Sequence, residues 1–314
     1  MDEAFDIIDT VRFVQATRDS GYRSISAALS EVVDNSLQAG ASRIDIVLND
    51  ASGDVRGQSI AVLDNGAGMS TANLRAALQF GGSERFNDRQ GTGRFGMGLP
   101  NSSLSQARRV DVYSWREPRA VWTAHLDLDE ILADSMKQIL PPVKSNPPEQ
   151  FDTMAFSSGT LVIWTKLDRA QPLDCNATAR SLGRSMGRIF RYFLWQDRKI
   201  FINGLPIVPF DPLYMVRDTS VPWVKGEPYG EVLTYEIMAT ADKSSSVEVR
   251  FSELPVLDLG MRSNADKRLA GITNGAGVSV VRGGREIDYG WYFLGKRREN
   301  YDDWWRCEIK FQPC

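Results

Sequence analysis

Ala28–Gly40 reads ALSEVVDNSLQAG, and the fold turns on how that stretch is read. Ser24 to Ala39 is rich in helix formers, and Gly40 supplies a C-terminal stop. On such a helix Glu31 and Asn35 are four residues apart and share one face. Ile25, Leu29, Val32 and Val33 give an apolar face for packing. A carboxylate and a carboxamide one turn apart can serve a single metal–phosphate centre. The Asn oxygen is a hard ligand of the kind Mg2+ accepts, and the Glu can take a proton from an attacking water. Alone, Glu-x-x-x-Asn is equally the mark of an ordinary solvated helix face, so the neighbouring sequence has to decide.

Two further stretches bear on it. AVLDNGAGM, Ala61 to Met69, reads as a short apolar strand from Ser59 with Asp64 at its end. The turn that follows, Asn65-Gly66-Ala67-Gly68, suits only small residues. A carboxylate at that point can accept a hydrogen bond from an exocyclic amine such as N6 of adenine; an ordinary Asn-Gly turn would look the same. GTGRFGMGL, Gly91 to Leu99, carries Gly91, Gly93, Gly96 and Gly98 ahead of a helix expected over Pro100 to Ala107. Close-set glycines before a helix N-terminus let backbone N–H groups approach a phosphate. The stretch is not a P-loop, since no Gly-Lys-Ser/Thr follows. It is not a dinucleotide fingerprint either, because no βαβ unit surrounds it.

In order and spacing these motifs resemble the GHKL ATPase superfamily of gyrase, the heat-shock chaperones, the histidine kinases and MutL, most of all its MORC-like and heat-shock-chaperone-like branches. Glu31 and Asn35 match the catalytic Glu and the Mg2+-binding Asn of that superfamily. Asp64, Gly66, Gly68 and Met69 match its adenine box, and Gly93-Arg94-Phe95-Gly96-Met97-Gly98-Leu99 its second glycine box. Ser157-Ser158-Gly159-Thr160, ahead of the strand LVIWTKL, resembles its Gly-Thr element, in which Thr160 supports the adenine side. The resemblance covers Ser24 to Leu167. It implies an α+β fold in which helices lie on one face of a mixed sheet, a Bergerat-type sandwich. It also implies ATP and Mg2+ as ligands, slow hydrolysis, and a mobile lid, for which GGSERFNDRQ, Gly81 to Gln90, has the composition. Pro100 stands where MORC proteins carry a lysine, and the heat-shock chaperones also lack that lysine.

Composition bounds the rest. The chain has 314 residues, 42% hydrophobic and 25% charged, as expected of a soluble globular protein of one to three domains. A net charge of −3 gives no global pull toward nucleic acid or an acidic membrane. Cys175, Cys307 and Cys314 contain no Cys-x-x-Cys, so reduced thiols in a cytoplasmic setting are expected. No signal-peptide pattern is present, and no apolar run approaches the ~18 residues of a membrane span. The only histidine, His125, falls in a strand, and no His precedes Glu31, which argues against a histidine kinase.

Along the chain, Met1 to Ser20 is an amphipathic lead-in, expected either to pack on its own domain or to cross to a partner subunit. Strands are expected at Arg43–Leu48, Arg109–Trp115 and Ala120–Leu126, and the proline-rich PPVKSNPPEQ reads as a loop. A domain boundary is placed near Asp168–Asn176, dividing an ATP-binding domain (1–170) from a transducer-like α+β domain (171–314). In that second part a helix over Ala177–Gln196 lines up Arg180, Arg184, Arg188 and Arg191. The stripe is either a DNA-phosphate contact or, as such stripes more often are, a solvated face. Hairpins follow at Asn203-Gly204 and Gly283-Gly284. In the families this part resembles, a basic residue reaches the γ-phosphate; Lys243 and Lys267, in polar loops, are candidates that no motif matches to that role. The function expected is ATP turnover driving a conformational or homodimerisation switch in a DNA-associated or chaperone-like machine. The alternatives are a non-catalytic nucleotide-gated clamp, or the ATPase subunit of a topoisomerase, repair or defence complex.

Overall fold

The computed structural model describes residues 7–50, 57–82, 96–151, 156–169, 173–240, 243–273, 275–291 and 294–313. The chain divides into two compact units. One comprises residues 1–182 and 199–206, the other 183–198 and 207–314.

The first unit begins with α1 (Thr10–Ser20) and α2 (Ile25–Gln38), followed by β1 (Arg43–Asn49), β2 (Ser59–Asp64), α3 (Thr71–Leu78) and α4 (Gly98–Gln106). It continues through β3 (Ala107–Trp115), β4 (Trp122–Asp127), α5 (Leu128–Leu132), β5 (Val143–Lys144) and β6 (Gly159–Leu167). Helix α6 (Cys175–Ile189) carries the chain across the division, α7 (Arg191–Leu194) follows, and the hairpin β7 (Lys199–Ile202) and β8 (Leu205–Pro206) returns to the first unit. Eight strands form one sheet in the order β5-β4-β3-β6-β2-β1-β7-β8. Its neighbours are antiparallel except β1 and β7, which run parallel.

Period-two alternation gives this sheet two faces. Trp164 of β6 donates its indole N–H to Ser103 of α4 at 2.9 Å, and Val162 faces α2, so helices cover that side. Ala61, Leu63, Trp115, Leu161 and Ile163 point the other way, into a core closed by Val121 and Phe151. Helix α2 starts at its Ser24 cap, whose hydroxyl accepts from Ala27 N at 3.2 Å, and stops before Gly40 at φ +80°. Ala28, Leu29, Val32 and Val33 are buried beneath it. Burying each of the larger ones stabilises by about 1.5–3 kcal/mol. Helix α1 packs on its own unit: Val14 is buried, Phe13 meets Phe80 edge-on at 5.7 Å, and Arg18 Nε donates to Leu104 O at 2.6 Å.

Three sequence expectations are corrected here. The hairpin turning at Asn203-Gly204 was expected in the second domain, yet β7 pairs with β1 in the first sheet. Its turn, with φ +47° and +79°, is of the kind foreseen, but a turn fixes only local register. The helix expected over Ala177–Gln196 breaks at Phe190 into α6 and α7. The proline-rich loop includes β5, two residues that extend the sheet beside β4.

The second unit holds β9 (Glu227–Pro228), β10 (Leu233–Thr240), β11 (Lys243–Glu253), α8 (Val256–Gly260), α9 (Asn264–Leu269), β12 (Val278–Arg282), β13 (Arg285–Gly290) and β14 (Trp305–Phe311). The sheet order is β10-β11-β14-β12-β13, with β9 on β11, and β12 runs parallel to β14. Tyr214, Val221, Val224, Leu254, Leu259 and Ile272 form its apolar core. No described helix is long and apolar enough to cross a membrane.

Candidate functional site

A cavity of about 460 Å³ opens in the first unit between α2, the end of β2, α3 and the start of α4. Glu31, Asn35, Asp64, Gly68, Met69, Gly96, Gly98 and Thr160 all line it, so residues spread from Glu31 to Thr160 in sequence meet in one place. Val32, Ala39, Ala67, Ala76, Ala77, Leu99 and Val162 give the cavity apolar walls suited to a flat ring.

Asp64 ends β2 opposite Thr160 of β6. It is 4% exposed, with Gly66 N donating to Oδ1 at 2.8 Å and Ser36 Oγ to Oδ2 at 2.8 Å. Burial pushes the Asp64 carboxyl above the ordinary carboxylate range, and the hydrogen bonds from Gly66, Ser36 and Thr160 pull it back. A carboxylate has about four lone-pair sites, so these three donors leave room for a ligand donor. Thr160 Oγ1 lies 3.0 Å from Ser114 Oγ, which also accepts from Met69 N at 2.8 Å. These hydroxyls tie the turn after β2 to β3 and β6.

The turn admits only glycine at Gly68. Its φ is +66°, and a methyl group there would overlap the Trp115 carbonyl oxygen. Gly66 does not line the cavity. It approaches Ala39 so closely that a Cβ would stand 2.9 Å from the Ala39 methyl, and its N–H orients Asp64.

At the other end of the cavity, α4 begins at Gly98, two residues ahead of the expected start at Pro100. Asn101 N makes the first helical bond, to Met97 O at 3.0 Å, and no side chain caps the terminus. The N–H groups of Gly98 and Leu99 therefore have no partner within the helix. Pro100 falls in the first turn, where its missing N–H costs no helical bond. A Cβ on Gly98 would stand 3.0 Å from Glu31 Oε2, which places the catalytic candidate at this helix terminus. Met97 sits at the N-cap and does not line the cavity. Gly93, Arg94 and Phe95, with most of the expected lid, lie outside the described residues. Gly81 N donates to Gly96 O at 3.1 Å, joining the two ends of that segment.

Sequence reasoning missed Ser36 and Ser114. Both are buried hydroxyls acting on motif residues, and serine in a helix or strand gives no signal of its own in a single sequence. The arginine stripe does not survive as a phosphate-binding face. Arg191 is fully buried, with Nη1 donating to Glu286 at 2.9 Å and Nη2 to Glu308 at 2.5 Å, and Arg188 donates to Glu286 at 2.6 Å. Of the four, Arg180 and Arg184 are exposed. His125 lies 3.6 Å from Glu130, remote in the sheet from the cavity residues.

Comparison with known proteins agrees with this geometry. Residues 22–160 match the family described as histidine kinase-, DNA gyrase B- and HSP90-like ATPase. The chain is 32% identical over 103 residues to ATPase MORC2 of Homo sapiens and to ATPase MORC2A of Mus musculus, which is 32% of this chain and 10% of each relative. ATPase MORC2B of Mus musculus is 30% identical over 102 residues. The match thus spans about a tenth of the length of these relatives. In motif order, in the converging cavity and in the match over residues 22–160, this part of the chain is similar to the GHKL ATPases and, among the relatives it matches, to the MORC ATPases.

Proposed function

We propose that the chain binds ATP with Mg2+ in the cavity between α2 and α4, hydrolyses it slowly, and uses the nucleotide state to switch conformation and favour a homodimer. The observation that carries this is the convergence of Glu31, Asn35, Asp64, Thr160 and the α4 N-terminus on one cavity. Asp64 accepts from the adenine amine, held for that task by Gly66 and Ser36, and Thr160 supports the same edge. Val32, Ala39 and Val162 pack the ring. The N–H groups of Gly98 and Leu99 meet the phosphates, where the helix dipole favours the anion.

Among the described residues no three His, Cys, Asp or Glu side chains gather to hold a metal. The cavity offers the hard oxygen of Asn35, which suits an ion that keeps waters and takes most of its ligands from phosphate. When bound, Mg2+ would neutralise charge on the phosphates. Glu31, one turn before Asn35, accepts the proton of the water that attacks the γ-phosphate. Positioning and charge stabilisation carry most of such a reaction. Glu31→Ala should retain ATP affinity in calorimetry and lose turnover by a factor of about 10²–10⁴. Full turnover in this variant would overturn the assignment.

A further inference from the structure

Strand β10 is the outermost strand of the second sheet, and no described strand pairs with its far side. The backbone N–H and C=O groups on that side are a template for another strand. Proteins usually blunt such an edge with Lys, Pro or a bulge. Leu233–Thr240 reads LTYEIMAT, which has no Pro, Lys or Arg, and its one irregularity lies between Met238 and Thr240, at the end. Residues 231–238 are all exposed, Leu233 by 43%, Tyr235 by 51% and Ile237 by 53%. These three alternate on one face. Val249 and Val247 of β11 continue that face opposite Leu233 and Tyr235. The other face carries Thr234 and Glu236 and leads inward through Glu248 and Arg250 to Glu308, which is bound by Arg191 and Tyr192.

The side-chain order selects a second copy as the occupant. An antiparallel pair of β10 strands centred on Tyr235 sets Leu233 opposite Ile237, Tyr235 opposite itself and Thr234 opposite Glu236. Apolar meets apolar on one face, and no like charges meet on the other. Centring on Glu236 instead would set two carboxylates directly opposite each other, which is unfavourable. We propose that β10 pairs antiparallel with β10 of a second copy, with the two-fold axis at Tyr235, and so joins two six-stranded sheets edge to edge. Nucleotide plays no part in this contact, so it stands or falls separately from the ATP-gated switch.

The test is sedimentation velocity on the full chain without nucleotide over a wide concentration range. A monomer–dimer equilibrium is expected. Ile237→Lys should weaken it more than tenfold while leaving the affinity for a non-hydrolysable ATP analogue unchanged. In a chain with Cys175 and Cys314 replaced by Ser, Tyr235→Cys should form an inter-chain disulfide on mild oxidation, and Glu236→Cys should not. A chain that stays monomeric at millimolar concentration overturns the proposal, as would be seen if the edge captured an extended segment of another protein instead. Dimerisation of Ile237→Lys as tight as that of the wild type, or cross-linking through Glu236→Cys in preference to Tyr235→Cys, also overturns it.

Discussion

Asp64 shows how a single side chain is held ready at the expense of stability. A carboxylate that is 4% exposed loses hydration, and the hydrogen bonds from Gly66, Ser36 and Thr160 only partly restore it. Its pKa is raised by burial, so the folded chain keeps this proton to a higher pH than the unfolded chain does. The stabilising contribution of the group is then fully present at low pH and is lost as pH rises through the folded value. Relative to Asp64→Asn, the wild type should therefore gain melting temperature as pH falls from neutrality toward the ordinary carboxylate range; a gap that does not change with pH would refute this. The same substitution should weaken ATP binding by roughly tenfold to a hundredfold, the effect of about 1–3 kcal/mol of unmatched polar contact. A side chain at Gly98 would act on chemistry rather than affinity, because the backbone N–H stays. A methyl group 3.0 Å from Glu31 Oε2 displaces that carboxylate, so Gly98→Ala should lower kcat by about ten- to a hundredfold. KM for ATP should change much less, and steady-state kinetics would show the reverse if Gly98 served only binding.

Among the elements, α2 and β2 were legible in the sequence because each carries both a strong period and a terminal signal: Ser24 and Gly40 for α2, the run into Asp64 for β2. Helix α4 was displaced by two residues because Pro marks a first turn without saying which place in that turn it occupies. The break between α6 and α7 left no mark in the local sequence pattern. Glu286 of β13 and Glu308 of β14 draw Arg191 inward, and no local pattern around Phe190 records them. That cluster is high-stakes for the second unit. Arg191→Ala would leave Glu308, 1% exposed by side chain, without its arginine and the equally buried Glu286 with Arg188 alone. The expected cost is about 3–5 kcal/mol in urea unfolding, with ATP-analogue affinity unchanged. A loss below about 1 kcal/mol would mean that the carboxylates are protonated or reached by water.

At the scale of the whole molecule, the sequence named Glu31, Asn35, Asp64 and Thr160, which meet in one cavity, but not where the first unit ends. Periodicity identified β7 as a strand and its turn as a hairpin, yet which sheet a strand joins depends on a partner, here β1, more than 150 positions away. A chain ended after residue 170 leaves β1 as a bare edge. It should aggregate or melt earlier than one ended after residue 206, which light scattering and thermal unfolding would show. Equal behaviour of the two would make β7 and β8 an accessory to the sheet. The return of residues 199–206 also bears on how such a protein is made and inherited. A ribosome releasing the chain in order cannot finish the first sheet until part of the second unit has already emerged. No single cut in the gene yields both units whole, so recombination at one point would break what it separates, and the two are bound to be passed on together.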